Sequence, residues 1–534
     1  MPDGKTSGPQ TESAESGWKP AFNPWLIAAV VSMAAFMEVL DTSIANVALP
    51  HIAGGLGASN SEGTWVLTSY LVANAIVLPL AGWMVSVLGR KRYFLICLTI
   101  FTFSSFLCGM ATSLPMLLIA RVVQGAGGGG LQPMAQAILL DSFPVKKRGP
   151  AAALFAVSVF AATAVGPTLG GWITDNYNWR WIFLIKVPLC VLTLYGVYRL
   201  VEDPPFLKRL KNLRFDLIGF SLLTLGVGAL QIFLDKGQED DWFGSHMITT
   251  LVVVCVVCLT SLVAWEWFHK DPIVDVRLFR DANFSACCLQ MFFIGVVGFA
   301  SIVLMPQFLQ MLVGYTASSA GQAVSMGALV LFVTMPTVGL LMSKVQARYL
   351  LALGWVLIAA SLIITSKEMS LGMSFRTASW LCVLQRIPIG LIFIPASLAA
   401  YFGMSEEKGT SIAGLINFVR NIGSSVGTSF VTTILARRTQ LHQSVLASAV
   451  TVDRSSFGPA VSGLAMRLGQ GGLDRVSARG RAYATIYVEM MRQAGAMSFL
   501  DAYWLLGVGS AAMVASAFFV SRNNPKDGGG GIAH

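Results

Sequence analysis

Charge is what this sequence has least of. Asp, Glu, Lys and Arg make up 12 % of its 534 residues, about half the share of an ordinary soluble domain. So few charges cannot cover a soluble surface of this extent, and apolar residues stand at 55 % with a mean hydropathy of +0.67. The alternation of apolar and polar residues that a membrane β-barrel needs is also missing. The eight cysteines all lie within or beside apolar runs. That excludes an extramembrane disulfide framework and makes Cys255-x-x-Cys258 apolar packing rather than a redox pair. No GxxxxGK(S/T) phosphate loop occurs, so the chain is not expected to draw on ATP, and its five histidines have no metal-ligand spacing. No cofactor or metal is expected. The first 23 residues are polar and carry acids, unlike a cleaved signal peptide.

What the sequence has is length in its apolar stretches. Residues 93–120, 151–174, 242–265 and 502–521 contain no Asp, Glu, Lys or Arg, and 284–343 runs sixty residues without one. About 20 apolar residues cross a bilayer as a helix, the form that satisfies its own backbone. Fourteen spans are expected: 25–47, 63–87, 93–111, 114–140, 150–174, 181–200, 216–235, 246–267, 284–312, 319–343, 349–366, 377–403, 411–436 and 500–521. The fold class is an all-α polytopic membrane protein. Counted from a cytoplasmic N terminus, the short inside loops, from Arg90-Lys91-Arg92 through Lys146-Lys147-Arg148 and Lys208 to Lys408, hold seventeen Lys and Arg. The outside loops hold four: Arg180, Lys236, Lys367 and Arg376. This bias puts both tails, 1–24 and 522–534, in the cytoplasm and accounts for the net charge of +10 without nucleic acid. One outside segment, 437–499, is long, polar and rich in Arg, Gly and Ser. It reads as a loop with room for a helix over 481–497.

The two ends of the chain echo each other. Pro79-x-x-Gly82 and the basic Gly89-Arg90-Lys91-Arg92 after span 2 return as Pro336-x-x-Gly339 with Lys344 and Arg348 after span 10. Arg121-x-x-x-Gly125 in span 4 returns as Arg386-x-x-x-Gly390 in span 12. Two six-helix bundles, 25–200 and 284–521, are therefore expected, with two inserted helices in the linker 201–283. Paired repeats with a site near mid-membrane are what transporters use for alternating access.

This arrangement resembles the major facilitator superfamily, and local strings narrow it. LDTSIANVALP at 40–50, Arg121-x-x-Gln124-Gly125-x-Gly127, Gly166-Pro167-x-x-Gly170-Gly171, WRWIF at 179–183 and NFVRNIGSSVG at 417–427 resemble its fourteen-helix drug:proton antiporter family. ARRTQLHQ before the polar segment and AYWLLG after it are closest to the multidrug export protein B type. The resemblance implies export of lipophilic small molecules across the bacterial inner membrane in exchange for protons, and not an enzyme. It also implies a periplasmic membrane-fusion adaptor and an outer-membrane channel as partners. Dedicated fatty-acid, lipid or siderophore export on the same scaffold is the alternative, and a non-transporting membrane sensor a remote one. By the same resemblance Gly166, Pro167, Gly170 and Gly171 form an antiporter motif, whose proline removes one helical hydrogen bond. The loop 2–3 motif departs from the family in having Ser86 at the usual aspartate position, and span 6 has Lys186 where asparagine is common.

Charges inside spans are costly and are kept for function. Glu38 and Asp41 are three residues apart on span 1, and Arg121 on span 4 is the expected partner of Asp41. A dry surrounding favours a protonated carboxyl and a nearby guanidinium an ionised one. An Asp41–Arg121 pair whose separation changes would thus take up and release protons, with Glu38 as auxiliary acid. Lys186, Arg386 and Arg420 are the remaining in-span cations, while spans 9 to 13 hold no Asp or Glu. The cavity is therefore expected to take neutral or weakly anionic lipophiles. Lys186, Arg386 and Arg420, with Phe292, Phe293, Met305, Phe308 and Gln310, are its candidate lining.

Overall fold

The computed structural model describes residues 20–144, 147–203, 216–270, 272–404, 408–450, 457–470 and 474–522. The tails 1–19 and 523–534, and the loop cations Lys146, Lys208, Arg209, Lys211 and Arg214, lie outside the described residues. In order, the helices are α1 (Pro24–Gly55), α2 (Asn60–Leu88), α3 (Arg90–Gly109), α4 (Leu114–Gly128), α5 (Leu131–Ser142), α6 (Arg148–Asn176), α7 (Trp181–Leu184), α8 (Lys186–Leu200), α9 (Leu217–Lys236) and α10 (His246–Phe268). They continue as α11 (Ala282–Phe308), α12 (Ala317–Leu341), α13 (Ala347–Glu368), α14 (Phe375–Ala399), α15 (Gly409–Ala449), α16 (Phe457–Gln470) and α17 (Arg475–Ser516).

Short polar residues set the helix starts by accepting from otherwise orphaned backbone N–H groups. Asp216, Asp281, Thr316, Ser374 and Asp474 cap α9, α11, α12, α14 and α17 in this way, and Ser59 with Glu62 forms a capping box on α2. Gly89 ends α2 at φ +83°, a conformation that favours glycine. The fourth expected span is divided into α4 and α5 at Gly129-Gly130, and the sixth into α7 and α8 at Ile185. Behind the second break is Pro188, whose nitrogen has no hydrogen for the Leu184 carbonyl.

Among the described residues thirteen helical stretches are long and apolar enough to cross a membrane, α4–α5 and α7–α8 each counting once. The remaining expected span, 411–436, is present as part of α15. This helix is more polar because it faces protein instead of lipid, packed against α2, α5, α11 and α17.

The echo in the sequence becomes a pair of crossings. α2 packs on α15, and α12 packs on α6. A Cβ at Gly82 would fall 2.1 Å from the Ser411 hydroxyl, and one at Gly149 would fall 2.3 Å from the Gly339 carbonyl oxygen. The two repeats thus touch through equivalent glycines, backbone to backbone. These contacts lie at the end where the Trp25 and Phe143 rings meet at 4.9 Å, Arg90 pairs with Asp141 and Lys408 reaches Asp275 at 2.8 Å. It is the basic end of the molecule, and here the repeats are closed on each other. Ser86 donates to Gly82 O of its own helix, at 3.1 Å, so the acid engaging this basic cluster is Asp141. The inserted α9 also touches both repeats. Thr68 of α2 donates to Asp235, and Gln231 donates to Ser425 of α15 at 2.8 Å.

Glycine packing gives a direct stability prediction for α11 against α15. A Cβ at Gly423 would lie 2.1 Å from Phe292 O, whereas at Gly298 nothing lies within 4 Å. Gly423→Ala is expected to destabilise by about 1–3 kcal/mol through overpacking. Gly298→Ala should be neutral or stabilising by about 0.5–1 kcal/mol, from helix propensity. Thermal unfolding of the two purified variants in one detergent checks the sign of each.

The polar segment 437–499 is where the structure departs most from expectation. It is mainly helix: α15 continues to Ala449, α16 follows, and α17 starts at Arg475 and runs without interruption into the last span. Residues 451–456 and 471–473 lie outside the described residues. Polarity ends the lipid contact but not the helix, since no Gly or Pro occurs from 428 to 457. The stem is tied by Thr439 to Ser498 at 2.9 Å, His442 to Asp501 at 2.9 Å, and Arg492 Nε to Leu312 O at 2.7 Å.

Candidate functional site

The in-span charges of α1, α4, α8 and α15 form one buried line. Asp41 is fully buried. Its Oδ2 accepts from Arg121, and its Oδ1 accepts from Lys186 and, at 2.9 Å, from the Gln124 amide. Arg121 is fixed on three further sides. Its Nε donates to Val66 O at 2.9 Å, its Nη1 donates to Gln124 at 2.8 Å, and its guanidinium lies 4.3 Å from the Tyr70 ring centroid. Lys186 sits 5.2 Å from the Phe183 ring centroid. The helix break at Ile185 places Lys186 in the first turn of α8. Sequence reading grouped Lys186 with the cavity, whereas its ammonium meets the Asp41 carboxylate.

Glu38, one turn away, is held by three donors. Its Oε1 accepts from the Tyr70 hydroxyl at 3.2 Å and the Asn74 amide at 3.0 Å, and its Oε2 accepts from Gln132. The Gln132 carbonyl in turn accepts from Arg420 of α15, and the Asn74 carbonyl accepts from Asn421 at 3.3 Å. Tyr70 joins the two acids, its ring under Arg121 and its hydroxyl on Glu38. Tyr70, Asn74, Gln132 and Asn421 were not picked out from sequence. The signal available was two amides, Asn74 and Gln132, inside otherwise apolar spans, where a polar side chain needs a partner as a charge does.

Small residues make the close approach possible. A Cβ at Gly125 would lie 2.3 Å from Tyr70 O, and one at Gly129 2.7 Å from Asn74 O. The glycine-rich stretch therefore packs α4 and α5 onto α2. In α6, Pro167 cannot donate to the Thr163 carbonyl, and Ser43 of α1 donates there instead at 3.1 Å. Ser325 of α12 donates to Ala164 O at 3.2 Å. A Cβ at Gly166 would lie 2.3 Å from the Ser43 hydroxyl and one at Gly170 3.1 Å from Ile44 O, while Gly171 has open space. The proline turn of α6 is thus pinned to α1 and to the other repeat.

The other candidates are dispersed. Arg386 lines a small cavity with Phe160, Thr163, Val324 and Leu331. Phe292 and Phe293 meet edge to face at 5.4 Å and are half-buried. Met305 and Phe308 are buried, Phe308 against Phe499 of α17, and Gln310 is exposed in the π-helical turn that follows α11. Arg420 is the one brought to the acids, its guanidinium 5.6 Å from the Phe393 ring centroid.

Comparison with known proteins gives the same architecture. The family model described as Major Facilitator Superfamily matches residues 31–428. The chain is 36 % identical over 504 residues to multidrug export protein EmrB of Escherichia coli K12, covering 94 % of this chain and 96 % of that one. It is 36 % identical to the fatty acid resistance protein FarB of Neisseria gonorrhoeae, over 79 % of this chain and 82 % of that one. Among solved structures, a double-tryptophan mutant of XylE aligns with a TM-score of 0.60 at 13 % identity, covering 95 % of this chain and 97 % of that one.

Proposed function

The chain belongs to the major facilitator superfamily, as an efflux transporter of the EmrB multidrug-export kind, and on that premise we propose that it expels lipophilic small molecules in exchange for protons. The observation that carries the proton coupling is the Asp41 carboxylate, fully buried between Arg121 and Lys186. Such a group is costly to ionise without both cations and costly to neutralise beside them. Its protonation therefore weakens the hold of α1 on α4 and α8. Arg121 keeps its own proton and acts by displacing the one on the acid. The two bundles, 25–200 and 284–521, rock about this region while the inserted pair in 201–283 follows. The antiporter motif at Gly166, Pro167, Gly170 and Gly171, sited where α1, α6 and α12 meet, sets the occluded contact. The basic end faces the cytoplasm of a bacterial inner membrane, with both termini there. The helical extension of α15–α17 then reaches into the periplasm, toward an adaptor and an outer-membrane channel.

The experiment is a pH step across proteoliposomes holding the purified protein and a lipophilic weak acid. Substrate movement against its gradient that collapses with a proton-exchanging ionophore is the expected result. Movement indifferent to the pH step would reject antiport.

Buried charge favours acidic or neutral substrates. Arg121, Lys186 and Arg420 outnumber Asp41 and Glu38 along the buried line, and the excess suits a weak acid in its anionic form. A second reading, dedicated export of fatty-acid-like compounds, is favoured by the similarity to a fatty acid resistance protein. A survival panel with and without the gene separates the two. Protection is expected against uncouplers and long-chain fatty acids, with little against divalent cationic biocides. Protection against the fatty acids alone would select the dedicated exporter, and the opposite pattern would reject the charge argument.

A further inference from the structure

Glu38 is surrounded by donors alone: the Tyr70 hydroxyl, the Asn74 amide and the Gln132 amide. Two of these are carboxamides, which have a fixed polarity, N–H on one side and oxygen on the other. Arg420 has only donors, so the Gln132 face turned to it must be oxygen, and the face turned to Glu38 must be the NH2. Asn74 is set the same way, its NH2 on Glu38 and its oxygen accepting from Asn421. Both outer partners belong to α15, in the opposite repeat, and both inner contacts meet one carboxylate. The orientation of each amide therefore reports whether Glu38 is an acceptor.

We infer that Asn74 and Gln132 are positioning residues that convert protonation of Glu38 into release of α15, with Arg420 and Asn421 as the contacts released. This rests on the antiport reading above. A proton on Glu38 Oε2 faces the Gln132 NH2, a donor against a donor. The amide turns over to accept it, and its NH2 then faces Arg420, again donor against donor. The same reversal at Asn74 turns an NH2 toward the Asn421 amide. The ionised acid thus clamps the closed basic end, and the protonated acid unclamps it, the sense an exporter needs when a proton arrives from outside. The other groups facing Glu38 are Tyr70 of α2, with Arg121 of α4 on its ring, and Asp41 on its own helix. Gln132, from α5, adds no charge.

A control is built into the same helix. Gln136, one turn further on α5, donates to Ser397 at 2.6 Å and accepts from Asn417 at 2.8 Å. It bridges the repeats without any contact to an acid.

Hydrogen–deuterium exchange of 409–421 in the full-length protein, at about pH 5.5 and about pH 8.5 and corrected for intrinsic rates, reads the clamp. Wild type should exchange roughly tenfold faster at the acid pH, and Gln132→Met and Asn74→Leu should exchange fast at both. Gln132→Glu shows oxygen to Arg420 whatever Glu38 does and should exchange slowly at both. Gln136→Met should raise both rates and keep their ratio, as a merely structural contact would. Glu38→Gln should abolish the pH response, and Gln132→Met added to it should change little. A wild-type ratio retained in both Gln132→Met and Asn74→Leu overturns the proposal, as does a response lost only in Tyr70→Phe. If wild type lacks pH-driven transport yet shows the exchange ratio, the antiport reading fails and the clamp stands.

Discussion

Purified Asp41→Asn is expected to bind substrate and to lose pH-driven efflux, to below roughly one hundredth of the wild-type rate. The substitution keeps the shape of the side chain and removes the only anion within reach of both Arg121 and Lys186. Asparagine carries no titratable proton, so the pH step has nothing at this site to act on. Two buried cations are then left without their counter-charge, and removing one partner of a buried pair costs about 3–5 kcal/mol. Lost activity alone would therefore not separate coupling from folding. Asp41→Asn with Lys186→Met removes one of the two cations and should recover thermal stability while efflux stays lost. Glu38→Gln should be milder. Pumping at the wild-type rate by either Asp41→Asn protein against a substrate gradient would exclude Asp41 as the coupling acid.

The second large effect concerns the extension. α15 has 41 residues and α17 has 42, about 60 Å each at about 1.5 Å per residue, against a hydrocarbon core of about 30 Å. Roughly half of each helix therefore stands clear of the membrane. Its outer part is basic, with Arg467, Arg475, Arg479 and Arg481, and it exposes Met466, Val476, Tyr487 and Val488. If this is where an adaptor docks, replacing 446–490 by a flexible linker of about ten residues should abolish cellular resistance. Transport in proteoliposomes should persist, because the deletion keeps the ties of Thr439, His442 and Arg492. Resistance that survives the deletion while still requiring the adaptor would place docking elsewhere. Loss of vesicle transport as well would mean that the extension serves the pump itself.

The sequence by itself determined the membrane class, the ranges of the helices and the repeat. Each follows from local composition: a run without charge has no stable place but lipid or protein interior, and paired Pro-x-x-Gly and Arg-x-x-x-Gly strings mark equivalent helices. It also marked Asp41 with Arg121, since two opposite charges inside spans need each other. It misread 437–499 as a loop, because polarity shows where lipid contact ends and says nothing about where a helix ends without glycine or proline. Only the tertiary structure decided which partners the charges have. Lys186 comes to Asp41 through a break that sets the first turn of α8, and Arg420 comes to Glu38 through α15 crossing from the other repeat. Asn74 and Gln132 gain their meaning from standing between the two. A side chain's partner across helices depends on how those helices are rotated and crossed. Close glycine contacts at Gly82, Gly125 and Gly149 set this, and they exist only once the repeats are packed.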